Sequence, residues 1–164
     1  LKAFGVTLNC YEDIVDSLSG TVDVFPCRKL TAIPNIDASE FPDLVPIISL
    51  VASISNGTTV IYNAERLRYK ESDRLASTCH VLKALGANIT ETEDKLIIVG
   101  TKALHGAYEG DGYGDHRIIM MLAVSSLVTA GTVKIHEASA ASKSFPNFFE
   151  VLHKLGLDCN IELV

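Results

Sequence analysis

Apolar residues recur along this chain in more than one register. Over residues 71–85, Leu75, Cys79, Leu82 and Leu85 fall three and four positions apart, the spacing of one helix face. Residues 146–155 read as a second amphipathic helix. Two other stretches, 43–54 and 115–129, are apolar on most faces and predict helices buried between sheets. Each of these ends in a Gly-containing pair, Asn56-Gly57 or Ala130-Gly131, and runs into a short strand at 58–62 or 132–136. Further strands are expected at 94–99 and 160–164. The segment 100–114 carries five Gly and predicts a loop.

These elements repeat. Leu1-Lys2-Ala3-Phe4-Gly5, Leu82-Lys83-Ala84-Leu85-Gly86 and Leu152-His153-Lys154-Leu155-Gly156 each read as a helix that stops at a Gly and gives way to a strand. Glycine suits that position because it takes positive φ without a steric cost. The second spacing, Gly86 to Gly156, is 70 positions. The unit is therefore a buried helix, a strand, an amphipathic helix and two strands, repeating every ~70 residues, too long for a solenoid such as ankyrin. Alternating strands and helices predict a layered α/β or α+β domain. The chain opens inside a helix end, which suggests a fragment of a longer protein.

Composition narrows the function. With 164 residues and 48% hydrophobic residues, the chain can build a core. A formal net charge of −6 argues against nucleic acid as the main partner. No apolar run reaches the ~20 residues that span a bilayer, and no secretory leader pattern is visible. A cytoplasmic protein is expected. Cys10, Cys27, Cys79 and Cys159 lack metal-ligand spacing and are expected to be reduced, mostly buried thiols. His80, His105, His136 and His153 show no ligand spacing either. The Gly-rich segment does not follow a strand in a GxGxxG frame, so nucleotide binding is a weak reading.

The candidate chemistry sits at helix starts. Asp43 follows Phe41-Pro42; Lys70-Glu71-Ser72-Asp73-Arg74 opens the second helix, Asp115-His116-Arg117 the third, and Lys143-Ser144-Phe145-Pro146 the fourth. Helix N-termini already favour anions, and the helix dipole opposes cations there. Three of the four starts nevertheless add Lys or Arg. If the repeats pack about a common axis, Lys70, Arg74, Arg117 and Lys143 converge around Asp43 and Glu71. Such a set suits a small, multiply anionic substrate, because Arg grips carboxylate or phosphate bidentately and Lys supplies a charge or a proton. Plainer roles stay open for each residue. Asp43 could be a helix cap, Glu71 and Asp73 ordinary first-turn acids, Arg74 part of a solvated surface network, and His116 a hydrogen-bonding helix-start residue.

At these clusters the chain resembles the EPSP synthase family. Leu67-Arg68-Tyr69-Lys70-Glu71-Ser72-Asp73-Arg74-Leu75 resembles that family's LRxKESDRL motif, Asp115-His116-Arg117 its DHR motif, Lys143-Ser144-Phe145-Pro146 its KSFP motif and Phe41-Pro42-Asp43 its PD segment. Ile119 stands where the family pattern has Ala. The resemblance implies an inside-out α/β barrel built from repeated βαβαββ units. This chain, residues 1–164, would be a C-terminal portion of about two units, with the N-terminal part of the enzyme as its partner. It implies transfer of the enolpyruvyl group of phosphoenolpyruvate to the 5-hydroxyl of shikimate 3-phosphate, with no metal or organic cofactor. Asp43 would bind the shikimate hydroxyls and act as base, Lys70 would lie near the attacking hydroxyl, and Glu71 would protonate the methylene carbon. Arg74, Arg117 and Lys143, with His116 beside them, would hold phosphoenolpyruvate. Lys143 would also donate a proton to the leaving phosphate.

Two competing readings follow from the same features. An enolpyruvyl transferase acting on UDP-N-acetylglucosamine shares the fold and the donor but not the paired KESDRL and DHR motifs. A non-catalytic anion-binding module of the same fold would be expected to lack Asp43 or Glu71, and both are present.

Overall fold

The computed structural model describes residues 1–12 and 20–158. Eight strands and four α-helices lie in these residues, with four short 3-10 segments between them. A 3-10 turn at Lys2–Phe4 leads into a hairpin of β1 (Leu8–Glu12) and β2 (Gly20–Val24). A complete βαβαββ unit follows: β3 (Asn35–Asp37), α1 (Val45–Ser53), β4 (Thr58–Tyr62), α2 (Arg74–Ala84), β5 (Asn88–Glu91) and β6 (Leu96–Val99). A second unit begins with β7 (Tyr108–Asp111), α3 (His116–Ser125), β8 (Val133–His136) and α4 (Phe148–Lys154). The strand expected at 160–164, and Cys159, lie outside the described residues.

The first unit makes a four-stranded sheet in the order β3-β4-β6-β5. β3 runs parallel to β4, while β6 is antiparallel to both β4 and β5. In the second unit β7 pairs parallel with β8. Alternation sets which face is buried. In β6, Leu96 and Ile98 are fully buried, while Ile97 and Val99 face outward. Thr59 and Ile61 of β4 and Ile89 of β5 point to the same inner side.

The inner face of that sheet packs on helices, and the helices pack on one another. α1 contacts α2, α3, β4 and β6, and α3 contacts α1, α2 and β8. The expectation that α1 and α3 lie between sheets needs correcting: their other neighbours are helices. Small residues allow this, since Ser49, Ala52 and Ser53 of α1 are buried. Their hydroxyls are satisfied locally, Ser49 Oγ donating to Val45 O and Ser53 Oγ to Ser49 O, each at 2.8 Å. The core joins Leu50, Ile61, Leu75, Leu82, Leu96 and Ile118. Leu75, Cys79, Leu82 and Leu85 are all buried, as their spacing predicts.

Gly5, Gly86 and Gly156 each end a helical segment at positive φ, 90°, 90° and 95°; a strand follows the first two, and the one expected after the third lies outside the described residues. The loop expected over 100–114 is corrected, because β7 lies within it. Gly100, Gly106 and Gly112 there allow close approach, and Gly114 supplies a positive φ of 61°. A Cβ on Gly106 would fall on the carbonyl of Ala84 and the backbone of Leu85, and one on Gly131 would fall on Gly106. The cysteine expectation also needs correcting. Cys79 is buried, but Cys10 and Cys27 are exposed. Cys10 sits on the β1–β2 hairpin, where Tyr11, Val22 and Val24 are exposed as well.

Candidate functional site

The N-terminal ends of α1, α2 and α3 meet, and the ionisable residues of all three meet with them. Asp43 lies in a 3-10 turn, Pro42–Leu44, just before α1. Lys70 and Glu71 lie in the connection before α2, which starts at Arg74 rather than at residue 71. Asp115 caps α3, and His116 and Arg117 are its first two residues. Lys143 closes a 3-10 segment, Ala138–Lys143, so it does not open the fourth helix as expected. The Ser144–Pro146 stretch intervenes before α4 begins at Phe148, because Pro146 suits a helix entry rather than an interior.

Arg74 is the hub. Its side chain is 1% exposed, so it must be paired to be tolerated. Its Nε donates to Asp115 Oδ2 at 2.9 Å and its Nη2 to Asp115 Oδ1 at 3.2 Å. Nη1 donates to Asp43 Oδ1 at 2.8 Å, and Nη2 also donates to Glu71 Oε2 at 2.6 Å. One N–H of the fork remains. Burial opposes the guanidinium charge, but the hydrogen bond and charge of Asp115, with Glu71 and Asp43, outweigh it and hold the pKa above its ordinary value. The solvated-network reading of Arg74 is therefore wrong.

Asp115 is fully buried. Besides the Arg74 fork it accepts from Ser72 Oγ at 3.0 Å and from the Arg117 N–H at 2.9 Å. Burial pushes its pKa up; the Arg74 hydrogen bond, the Arg117 N–H, the Arg74 charge and Ser72 together pull it below the usual carboxylate value. The sequence placed Asp115 at a helix start but not among the site residues. Its signal was the acid immediately preceding His116-Arg117, where an N-cap belongs.

Asp43 makes no capping bond. Instead it faces three cations: Arg74, Lys70 Nζ at 3.5 Å and Arg117 Nη2 at 3.6 Å. Its partial burial raises its pKa, but the Arg74 hydrogen bond and the charges of Lys70, Arg74 and Arg117 bring it below the ordinary value. Glu71 bridges Arg74 and His116, whose Nδ1 is 3.6 Å from Glu71 Oε1. Asp73 does take the plain role, its carboxylate accepting from the Ala76 N–H as the α2 cap. Lys143 Nζ donates to Gly114 O at 3.3 Å, which brings the fourth segment to the start of α3.

Two buried nitrogens of this cluster, His116 Nδ1 and Arg117 Nε, have no hydrogen-bond partner. A buried donor or acceptor without a partner costs free energy. Lys70, Arg74 and Arg117 thus sit against the carboxylates of Asp43, Glu71 and Asp115, while Lys143 reaches only the Gly114 carbonyl. Concavities of about 260 and 240 Å³ lie elsewhere, and no cluster residue lines them. The Asp43 and Glu71 side chains are about half exposed. Among the described residues, no group of three His, Cys, Asp or Glu is placed to hold a metal ion. Nor is any described helix long and apolar enough to cross a membrane.

A 3-phosphoshikimate 1-carboxyvinyltransferase from Clostridium botulinum is 48% identical over 121 residues, covering 74% of this chain and 28% of that protein. One from Clostridium acetobutylicum is 45% identical over 149 residues, covering 89% and 35%. Among solved structures, an EPSP synthase from Acinetobacter baumannii superposes with a TM-score of 0.82 at 29% identity, over 96% of this chain and 38% of that one. The enolpyruvyl transferase NikO from Streptomyces tendae shares the fold, with a TM-score of 0.77 at 22% identity over 96% of this chain and 34% of that one. The chain therefore spans about a third of the length of these proteins. The family model described as EPSP synthase (3-phosphoshikimate 1-carboxyvinyltransferase) matches residues 9–152. A family model that matches most of the chain, together with these relatives, shows that the chain belongs to the EPSP synthase family.

Proposed function

We propose that residues 1–164 are one C-terminal portion of a cytoplasmic enzyme that transfers the enolpyruvyl group of phosphoenolpyruvate to the 5-hydroxyl of shikimate 3-phosphate, releasing phosphate. The observation that carries this reading is the convergence of Asp43, Lys70, Glu71, Arg74, His116 and Arg117 within one network of contacts. The reaction adds the hydroxyl oxygen to the vinyl carbon bearing phosphate while the methylene carbon takes a proton. Elimination then expels phosphate and removes a proton from the new methyl group. Such chemistry needs an acid and a base close together, and cations fixed around a multiply anionic intermediate.

Asp43 is the base and shikimate ligand in this reading, and Lys70 sits beside the attacking hydroxyl. Asp43 is ionised at neutral pH, its pKa lying below the ordinary value: partial burial raises it, but the Arg74 hydrogen bond and the charges of Lys70, Arg74 and Arg117 outweigh that. When substrate carboxylate and phosphate engage those cations, Asp43 loses part of that stabilisation and becomes more basic. Glu71 is the acid that protonates the methylene carbon, with His116 Nδ1 3.6 Å away and not hydrogen-bonded to it. Arg74, Arg117, His116 and Lys143 hold phosphoenolpyruvate, and Lys143 protonates the departing phosphate. Arg74 can do this only with its one free N–H or by releasing Asp43 or Glu71. The remaining part of the enzyme covers this cluster and supplies the grip on the shikimate phosphate, so the chain alone is expected not to turn over.

The test is phosphate release from phosphoenolpyruvate by the intact protein, offered shikimate 3-phosphate or UDP-N-acetylglucosamine. Release with the shikimate acceptor alone, lost in Asp43→Ala, is the expected result. Release with only the sugar nucleotide would replace the acceptor; no release with either would sink the catalytic reading.

A further inference from the structure

The turn between β7 and α3 holds a residue in a conformation its side chain disfavours. Tyr113 has φ 58° and Gly114 follows at 61°. A bulky side chain in the left-handed region is a real outlier, and such strain persists only where the surroundings enforce it. Two local bonds help: the Tyr113 N–H donates to Asp111 Oδ1 at 2.8 Å, and the Asp115 N–H to Gly112 O at 3.0 Å. A third bond is not local. The Tyr113 phenol lies 2.6 Å from His80 Nδ1 on α2, with the two rings edge to face. With a neutral imidazole accepting at Nδ1, the phenol O–H is the donor.

This turn presents the Gly114 carbonyl, and that carbonyl accepts the hydrogen bond from Lys143 Nζ. A turn that only connected β7 to α3 would be better served by glycine at position 113, since glycine adopts positive φ freely. The tyrosine adds a tether to α2 instead. We propose that Tyr113 is a positioning residue for Lys143: its bond to His80 locks the left-handed turn, and the turn fixes the carbonyl that aims the Lys143 ammonium into the site. The consequence for turnover rests on the proposed role of Lys143 in phosphate departure; the positioning itself does not.

The experiment compares the intact enzyme with Tyr113→Phe, His80→Leu and His80→Gln. Two quantities are read. One is the acetylation rate of Lys143 by acetic anhydride, mapped by mass spectrometry against Lys102, which lies outside the cluster. The other is kcat and KM for enolpyruvyl transfer. Tyr113→Phe and His80→Leu are expected to change relative Lys143 labelling by about 3-fold and to lower kcat by about 3- to 10-fold, the loss of one hydrogen bond, with KM little changed. His80→Gln, which keeps an acceptor for the phenol, is expected to preserve both. In a Lys143→Arg background, Tyr113→Phe should cost less than about 2-fold, because coupled residues are not additive. Unchanged labelling in Tyr113→Phe would overturn the proposal, as would an undiminished kcat loss in the Lys143→Arg background. A Lys143→Arg enzyme with full activity would instead remove the proposed role of Lys143, while the labelling would still decide the positioning.

Discussion

Replacing Asp115 by Asn tests whether the site is held together by one buried charge. The two side chains are nearly the same shape. Asn keeps an oxygen for the Arg117 N–H and for Arg74 Nη2. It places an amide NH₂ where Oδ2 now accepts from Arg74 Nε at 2.9 Å and Ser72 Oγ at 3.0 Å. The Arg74 Nε contact becomes donor to donor, the Ser72 hydroxyl has to turn and accept instead of donate, and the only fully buried carboxylate facing Arg74 loses its charge. Stripping one partner from a buried pair costs about 3–5 kcal/mol. Asp43 and Glu71, with side chains 49% and 41% exposed, still compensate part of the guanidinium charge. The expected loss is therefore about 2–4 kcal/mol. In urea unfolding, that shifts the midpoint down by roughly 1–2 M. Converting the pair to Asp115→Leu with Arg74→Met should recover much of the loss, because no unpaired buried charge remains. The pH dependence has a definite sign. The Asp115 carboxyl is held below its ordinary 3.8 in the folded protein. Its contribution is full above that value and is lost as pH falls through the depressed folded value. The difference between wild type and Asp115→Asn should be flat near neutrality and shrink only below about pH 4. A difference under about 0.5 kcal/mol at neutral pH would refute the claim that Arg74 depends on this carboxylate.

Other consequences are checked more simply. Burial, then the neighbouring Tyr113 and Asp111, push the Tyr108 phenol up to about 12, and its hydroxyl donates to Asp111 O at 2.8 Å. In a spectrophotometric titration one tyrosine should ionise near 12, and the stability tied to its neutral form should be present below about 10 and lost as pH rises through 12; Tyr108→Phe should remove the late step, and its persistence would refute the assignment. Gly106→Ala would drive a methyl group into the Ala84 carbonyl and the Leu85 backbone, costing about 1–3 kcal/mol in thermal or urea unfolding. An unchanged midpoint would show that these backbones can separate freely.

Much of the fold was legible because burial writes a period into the sequence. Strand 58–62 is found with those bounds, and the α2 apolar positions are buried as their spacing requires. What escaped notice were the leading strands of each unit. β3 is three residues long and β7 reads Tyr-Glu-Gly-Asp, too short and too polar to show alternation. Both are defined by parallel pairing with a strand beyond the next helix, which no local window contains. Glycine count misled for a similar reason. In 100–114 the glycines answer to backbones distant in sequence, Ala84 for Gly106 and Ser55 for Gly100.

The site was legible as residue types but not as an energetic arrangement. Cations at helix starts, which the helix dipole opposes, point to an anionic ligand. For Arg74 the structure limits that argument. Its charge is already met by Asp115, Asp43 and Glu71, so the fold does use it. Arg117 and Lys143 are different: Arg117 reaches a carboxylate only at 3.6 Å with a buried Nε unpartnered, and Lys143 holds a carbonyl. An incoming anion would gain most from these two, because they give up least to bind it. Arg74 would exchange a carboxylate of the protein for one of the substrate, a near-balanced swap in affinity that changes the protonation preference of the carboxylate set free. Asp43 and Glu71 are the partners it can release, since both are half exposed, while Asp115 is buried and stays. In the proposed reaction Arg74 would then tune the proposed acid and base, Glu71 and Asp43, more than it would anchor the ligand. Its conservative replacement, Arg74→Lys, should then displace the pH profile of kcat further than it raises KM for phosphoenolpyruvate. A KM effect with an unmoved profile would return Arg74 to the role of a simple anion grip.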